Sequence, residues 1–171
     1  MIRRLVARLA NITPVFDALR WLLEAGYSGE RRIIRKCLLP LGARVLDLGC
    51  GTGIFAPLFA PDAYCGVDVN PRYLARARQR CPRHTFLLGD GARVPLDDGW
   101  AGAVMISGVL HHLDDGHALR LLREAARVLS PGGVIVIWED TADVAWWNVV
   151  GRVLHLFDNG AFIRRASEYQ A

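Results

Sequence analysis

The stretch "VLDLGCGTG", residues 45–53, constrains the fold of this 171-residue chain more than any other part of it. A short apolar run carries one acid, Asp47, and is followed by glycines at alternate positions, Gly49, Gly51 and Gly53. Glycine allows backbone torsions and close approaches that a Cβ forbids. The pattern is therefore typical of a strand that ends in a tight ligand-binding loop. We expect a helix over 53–60 to follow, with its positive N-terminus facing the bound ligand.

Short β-branched runs predict strands along the rest of the chain, at 44–48, 63–69, 84–88, 102–107 and 133–138. Helical patterns separate them, most clearly at 71–80 and 115–129, and an "SPGG" turn in which Gly132 takes a positive φ precedes the last strand. Alternating strands and helices form right-handed crossovers and a parallel sheet with helices on both faces. The sequence thus predicts an α/β fold with a doubly wound, mostly parallel sheet in three layers. Ligands of such sheets bind where the strand order reverses, at the carboxyl ends of the strands.

The composition, 52% hydrophobic and 22% charged, fits one globular domain. We divide it into an N-terminal helical segment packed on the core (1–42), a ligand-binding core (43–140) and a C-terminal helical segment (141–171). In the first part Thr13 and Ser28 each begin a helix, the second ending near Pro40. In the last part the aromatic stretch 143–157 either roofs an apolar substrate or covers the sheet.

Charge and cysteine content exclude several classes of partner. A net charge of +4 without a basic stripe predicts no nucleic-acid binding. The four cysteines lack zinc-site spacing, so we expect reduced thiols, no metal and a cytoplasmic location. The N-terminal "IRRLVARLA" is either a membrane-surface anchor or, as we favour, a solvated helix face.

The acid beside the glycine loop indicates a cationic ligand. A dinucleotide fingerprint needs glycine where Ile54 stands, and Asp47 would repel a pyrophosphate. S-adenosylmethionine (SAM) carries a sulfonium and an ammonium group, which an acid suits. Asp68 and Asp90 end the second and third predicted strands, where carboxylates can accept from ribose hydroxyls and from the adenine amine respectively. Alternatively, Asp68 caps the next helix and Asp90 forms a turn.

Five motifs occur in order between residues 44 and 140: "VLDLGCGTG", "GVDVNPRYLARAR", "LLGDGARVPL", "GVLHHLDD" and "RVLSPGGVIVI". Together they resemble the class I SAM-dependent methyltransferases, a family with a Rossmann-like fold. The resemblance implies SAM as cofactor and methyl transfer to a small molecule, because the "VLHHL" form is similar to enzymes that act on quinone precursors and natural products. The family fold usually closes with an antiparallel strand pair, which we expect this chain to lack.

The resemblance also implies roles for individual residues. The methionyl part is assigned to Asp47 and the glycines of the loop, the ribose to Asp68, and the adenine to Asp90 and Gly91. Ser107 and its neighbours are assigned to the groove beside the transferable methyl. The implied cofactor-binding residues are Asp47, Gly49, Cys50, Gly51, Gly53, Asp68, Val69, Asp90, Gly91 and Ser107. His111 and His112 are candidate general bases, although we favour a structural role because in-line methyl transfer depends mainly on positioning.

Two alternatives to an active methyltransferase stay open. A SAM-binding or partner-binding pseudoenzyme is favoured by the expected loss of the strand pair, whereas a nicotinamide-dependent oxidoreductase is opposed by Asp47 and Ile54. Without that strand pair, residues 133–138 would form an exposed sheet edge. Such edges pair with other chains, so we expect self-association there.

Overall fold

The structure, a computed structural model, describes residues 27–139, 141–142 and 162–169. Five strands, β1 to β5, form one sheet: Val45–Leu48, Tyr64–Asp68, Thr85–Leu88, Ala101–Ser107 and Leu129–Trp138. Every pair of neighbours is parallel, and the order is β3-β2-β1-β4-β5. Since consecutive crossovers run in opposite directions from β1, the sheet is doubly wound and its order reverses between β1 and β4, as predicted.

Among the described residues, three α-helices flank the sheet: α1 (Ser28–Ile33), α2 (Pro71–Arg80) and α3 (Asp115–Val128). The chain continues from α1 through one π-helical turn and a 3₁₀ turn that ends at Leu41. Side chains cap the other two helices. Asn70 accepts from the backbone N–H of Arg72 at 3.0 Å, and Asp114 accepts from that of His117 at 2.8 Å. The helices predicted at 71–80 and 115–129 are confirmed.

The helices cover both faces of the sheet, which gives three layers. Alternate residues of a strand point to opposite faces, and the two resulting cores have different partners. The first contains Ile34 and Leu38 after α1, packed on Val45, Ala103 and Met105 of the sheet.

The second core lies on the other face of the sheet. It contains Leu121, Ala125 and Val128 of α3, packed on Leu46, Leu48, Val104 and Ile106. Leu74 and Ala77 of α2 pack with Tyr64 on the same face as α1.

The helix expected over 53–60 is wrong. Residues 53–55 form turns, and only a short 3₁₀ helix, Ala56–Leu58, follows the glycine loop. Pro57 has no N–H to donate within a helix, and Pro61 disfavours helical torsions at the residue before it. The argument that a helix N-terminus faces the ligand therefore does not apply to this loop.

The last strand begins irregularly. Leu129 pairs with Ala101, but Val134 pairs with Ala103, so residues 130–133 bulge out of register and Gly132 takes the predicted positive φ of 78°. In the described part of the chain β4 is the only neighbour of β5. Ile137 is 45% exposed, and Val134, Ile135 and Trp138 are also exposed on this strand.

Several predictions concern residues outside the described ranges. These are the helix that begins at Thr13, the basic segment 2–10 and the aromatic stretch 143–157. The described residues contain no antiparallel strand pair, and the division into three segments stays a prediction. No helix among the described residues has both the length and the apolar character that a membrane span requires.

Candidate functional site

A pocket opens at the carboxyl ends of β1 and β4, where the strand order reverses. The structure brings five of the predicted cofactor-binding residues to its wall: Asp47, Gly49, Cys50, Gly51 and Ser107. They come from β1, from the loop that follows it and from the end of β4. This is the position at which doubly wound sheets bind their ligands.

Asp47 is the most unusual group in the pocket, because its side chain is only 1% exposed. The hydroxyl of Tyr64 donates to its Oδ2 at 2.6 Å, whereas Oδ1 has no hydrogen-bond partner within the described part of the chain. Burial raises the pKa of Asp47 to about 7; the hydrogen bond from Tyr64 lowers it and the nearby charge of Asp68 raises it further. The ligand-free carboxyl therefore titrates near neutral pH.

Asp68 ties the glycine loop to the end of β2. Its Oδ2 accepts from the backbone N–H of Gly51 at 2.8 Å, and its Oδ1 accepts from that of Asn70 at 2.7 Å. Burial raises the pKa of Asp68, and these two hydrogen bonds oppose the rise. Each carboxylate oxygen has two lone pairs, so both oxygens keep capacity for a ligand hydroxyl.

The backbone N–H groups of the loop are already used within the protein. Those of Gly49 and Cys50 donate to the carbonyl of Val67 at 2.8 and 3.0 Å, and that of Gly51 donates to Asp68. In pyrophosphate-binding loops such N–H groups point at the ligand instead. The arrangement therefore does not offer an anion cradle at these three positions.

The glycines of the loop are required for different reasons. Gly51, which lines the pocket, has a φ of 53°, and apart from its chain neighbours no atom lies within 4 Å of the position a Cβ would take, so this side of the loop is open. A Cβ on Gly49 would overlap the side chain of Val109, and one on Gly53 would lie 3.0 Å from Ala77. Only Gly51 thus offers the close approach that the sequence pattern predicted for all three.

The remaining predicted cofactor residues do not line the pocket. Asp90 is exposed and its Oδ1 accepts from the backbone N–H of Ala92 at 3.0 Å, which is the turn-forming alternative. Gly91 is buried beside Leu121, and Val69 is 65% exposed. They lie beyond the carboxyl ends of β2 and β3, next to the pocket in the sheet order.

The two candidate bases have different environments. His111 is buried, and since a carboxylate only accepts hydrogen bonds, its Nδ1 donates to Oε2 of Glu139 at 2.6 Å. The other oxygen of Glu139 accepts from the backbone N–H groups of Val109 and Leu110, both at 2.7 Å. His112 is exposed. Neither histidine is among the residues that line the pocket.

A second set of hydrogen bonds to the segment around His111 comes from Phe162 and Arg164. The guanidinium of Arg164 donates to the carbonyls of Leu110 and Leu113, both at 2.9 Å, and pairs with Asp115. The backbone N–H of Phe162 donates to the carbonyl of His111. We define residues 108–113, held by Glu139 and Arg164, as the β4–α3 loop.

Sequence reasoning missed several residues of the pocket. Tyr27 and Glu30 reach it from α1, and Tyr73 reaches it from α2. Tyr27 is buried with a φ of 58°, a left-handed torsion that is unusual for an aromatic residue and is enriched at functional sites. No periodic pattern marks these positions, because they depend on how the helices pack.

The described lining residues include two carboxyl groups, Asp47 and Glu30, and no lysine, arginine or histidine. Arg80, the basic side chain bonded to the loop, donates to the carbonyl of Thr52. An acidic lining with an unpartnered carboxylate oxygen is complementary to a cationic ligand and unfavourable for a phosphate.

Comparisons with known proteins agree with this geometry. A family model for a methyltransferase domain matches residues 45–133. An uncharacterized methyltransferase of Mycobacterium bovis is 35% identical over 122 residues, covering 68% of this chain and 49% of the relative. The demethylmenaquinone methyltransferase of Thermus thermophilus is 34% identical over 140 residues, covering 76% of this chain and 63% of the relative.

A solved structure of a SAM-dependent methyltransferase from Thermotoga maritima superposes with a TM-score of 0.71 at 26% identity, covering 95% of this chain and 75% of that one. The chain spans about half the length of the mycobacterial relative. The matched region contains the whole parallel sheet up to the bulge of β5, including the glycine loop. The chain therefore belongs to the class I family of SAM-dependent methyltransferases.

Proposed function

We propose that this domain binds SAM in the pocket between β1 and β4 and transfers the methyl group to a small, lipophilic or aromatic acceptor by in-line displacement. The observation that carries the proposal is the acidic lining beside the open side of Gly51. A buried carboxylate with a free oxygen is stabilised by a cation or a hydrogen-bond donor that reaches this oxygen.

The residues present fit this cofactor, which supplies an electrophilic methyl carbon on a sulfonium cation when bound. Asp47 offers Oδ1, which accepts no hydrogen bond from the described residues, to a cationic or N–H donor, while its Oδ2 already accepts from Tyr64. Asp68 retains lone pairs for ribose hydroxyls while it fixes the glycine loop through Gly51. The adenine would lie toward Asp90 and Gly91, beyond the ends of β2 and β3.

A nicotinamide cofactor is supported less well. The N–H groups of Gly49, Cys50 and Gly51 are bonded within the protein, and Asp47 would lie near a dianionic pyrophosphate. Both features disfavour a phosphate ligand.

The class of acceptor is inferred from the aromatic lining. Three aromatic residues, Tyr27, Phe55 and Tyr73, are among the lining residues, and aromatic side chains suit an aromatic or lipophilic acceptor. One relative is named as a demethylmenaquinone methyltransferase. With no titratable base but carboxyl, thiol and phenol groups among the described lining residues, we propose that positioning and exclusion of water supply most of the acceleration.

We further propose that the protein works in the cytoplasm on a small molecule and without nucleic acid. Its four cysteines are free, and three of them, Cys50, Cys65 and Cys81, are buried, which suits a reducing compartment.

Calorimetric titration with SAM, S-adenosylhomocysteine and NAD tests the cofactor. We expect the first two to bind and NAD not to bind. The variant Gly51→Val should lose SAM binding because its side chain enters the open space in the pocket. Gly42→Val is the matched control, since Gly42 has a similar φ of 57° and equally open surroundings but lies before β1, at the opposite end of that strand. Equal SAM affinity in both variants would contradict the assignment of the loop.

Turnover is tested separately with SAM labelled in its methyl group. Mass spectrometry of a metabolite extract, and of added quinones and phenols, should detect a labelled product that is absent with Gly51→Val. SAM binding without any labelled product would favour the pseudoenzyme instead.

A further inference from the structure

Tyr64 is the side chain that fixes Asp47, although it lies on a different strand and does not line the pocket. It begins β2 and is the register partner of Val45, so its ring must reach along the sheet toward Asp47. The residue directly opposite Asp47 is Gly66, which has no side chain to bond to the carboxylate. The hydroxyl of Tyr64 takes that place at 2.6 Å from Oδ2.

The ring of Tyr64 is held on several sides. It stacks on Phe59 with a centroid distance of 5.6 Å and meets the edges of His84 and Phe86 at 5.7 and 5.9 Å. Its side chain is fully buried with this cluster. Packing therefore fixes the ring and, with it, the position of the hydroxyl. The hydrogen bond from this hydroxyl in turn fixes the carboxylate of Asp47.

The surroundings of Asp47 leave one oxygen for a ligand. Oδ2 accepts the hydrogen bond from Tyr64, whereas Oδ1 has no partner in the described part of the chain. Asp47 is also one of the residues that line the pocket. Burial raises the free energy of an ionised carboxylate that has one unpartnered oxygen, and a cationic donor at that oxygen would lower it.

We infer that Tyr64 is a positioning residue that holds one oxygen of Asp47 and presents the other to the cationic part of SAM, so that cofactor binding is coupled to release of a proton. The inference rests on the proposed function. It adds a residue outside the pocket to the site and predicts that the affinity for SAM is controlled by pH.

The groups that face Asp47 are consistent with this coupling. Asp68 at the end of β2 adds a like charge, and Glu30 of α1 lines the same pocket. The thiols of Cys50 and Cys65 have raised pKa values through burial, and burial also raises the pKa of Tyr64 well above its usual value. These three groups stay neutral near pH 7, whereas burial raises the pKa of Asp47 to about 7, so the charge of Asp47 changes in this range.

The direction of the effect follows from the raised pKa of Asp47, about 7 without ligand. A cation binds the ionised form, so the affinity falls as the pH falls through this value. We expect SAM to bind about tenfold more tightly at about pH 8 than at about pH 6. At the midpoint, binding should release about half a proton.

The test is calorimetry of the full chain with SAM from about pH 6 to about pH 9, in buffers of different ionisation enthalpy so that released protons are counted. Asp47→Asn is the reference, because the ionisation of SAM itself is common to both proteins. Tyr64→Phe keeps the ring and removes the hydroxyl, which should move the midpoint up by roughly one to two pH units. Its affinity should fall about tenfold or more at neutral pH and recover at alkaline pH.

Tyr169→Phe is the matched control. It removes the phenol hydroxyl of a ring that lies beside the guanidinium of Arg164, and it should keep the wild-type pH profile. A Tyr64→Phe variant that binds more weakly by the same factor at every pH would overturn the inference, since that is the effect of a packing defect. If Tyr64→Phe does not fold, the comparison of wild type with Asp47→Asn still tests the inference. The inference is wrong if both proteins release the same number of protons when SAM binds. Absence of SAM binding by the wild-type chain would refute the proposed function itself, and the inference with it.

Discussion

Replacing Glu139 with alanine is expected to destabilise the protein more than any change of an exposed charge. The carboxylate of Glu139 accepts three hydrogen bonds of 2.6–2.7 Å, from the backbone of Val109 and Leu110 and from the ring of His111. The side chains of His111 and Glu139 are each only 4% exposed, so water cannot readily replace the lost acceptor.

The magnitude follows from the number of donors left without a partner. A buried donor that loses its acceptor costs about 1–3 kcal/mol. Two of the three donors belong to the buried residues Leu110 and His111, and the third belongs to the partly buried Val109, so we expect a loss of about 3–5 kcal/mol in the free energy of unfolding. That is a large part of the ~5–15 kcal/mol of a typical domain. Glu139→Gln keeps an oxygen for the two amides and should cost about half as much.

Urea denaturation followed by circular dichroism measures these differences, and hydrogen exchange at the amides of Val109 and Leu110 locates them. Asp98→Ala is the control, because the carboxylate of Asp98 pairs with Arg127 but is 81% exposed. It should cost less than about 1 kcal/mol. If Glu139→Ala costs no more than Asp98→Ala, the account of the β4–α3 loop is wrong.

Four further outcomes are expected. Gly51→Val should abolish SAM binding in a folded protein, whereas Gly42→Val should not, as measured by calorimetry. Asp47→Asn should raise the free energy of unfolding by about 2–4 kcal/mol at about pH 8 and by much less near pH 4. The reason is that the raised pKa of Asp47 makes the wild-type native state lose stability as the pH rises toward 7. Equal gains at both pH values in urea denaturation would contradict this. His112→Ala should keep turnover within about tenfold, and a loss of ~10²–10⁴-fold with unchanged SAM affinity would identify it as a general base. The 171-residue chain should self-associate in sedimentation experiments through β5, and Ile137→Lys should reduce that association; a monomeric wild-type chain would refute this role of the edge.

The strands and two helices were predictable because their signals are local. Each strand is a short apolar run, and α2 and α3 begin at side-chain caps, Asn70 and Asp114, that the sequence displays. The helix predicted over 53–60 does not form because Pro57 and Pro61 limit the backbone there to short 3₁₀ turns. The torsions that these prolines impose prevail over the helical pattern of the segment.

The acids of the site could be located but not distinguished. Asp47, Asp68 and Asp90 all follow or end predicted strands, yet Asp47 is buried, Asp68 is half-buried and Asp90 is exposed. Their environments depend on distant residues, above all Tyr64, which is 17 positions from Asp47. Glu139 is 28 positions from His111 and was assigned no role by pattern. Such contacts arise only from the register of the sheet.

The concentration of unfavourable features around the pocket is itself an argument for ligand binding. Tyr27 adopts a left-handed torsion at the pocket wall, and Asp47 holds an unpartnered oxygen away from solvent. The backbone torsion at position 27 alone would favour glycine, and burial at position 47 alone would favour an uncharged side chain. Strain and desolvation of this kind persist where they contribute to function. The stability that Asp47→Asn should gain is thus the counterpart of the SAM affinity that it should lose, and measuring both in one variant tests whether the buried charge is there for the cofactor.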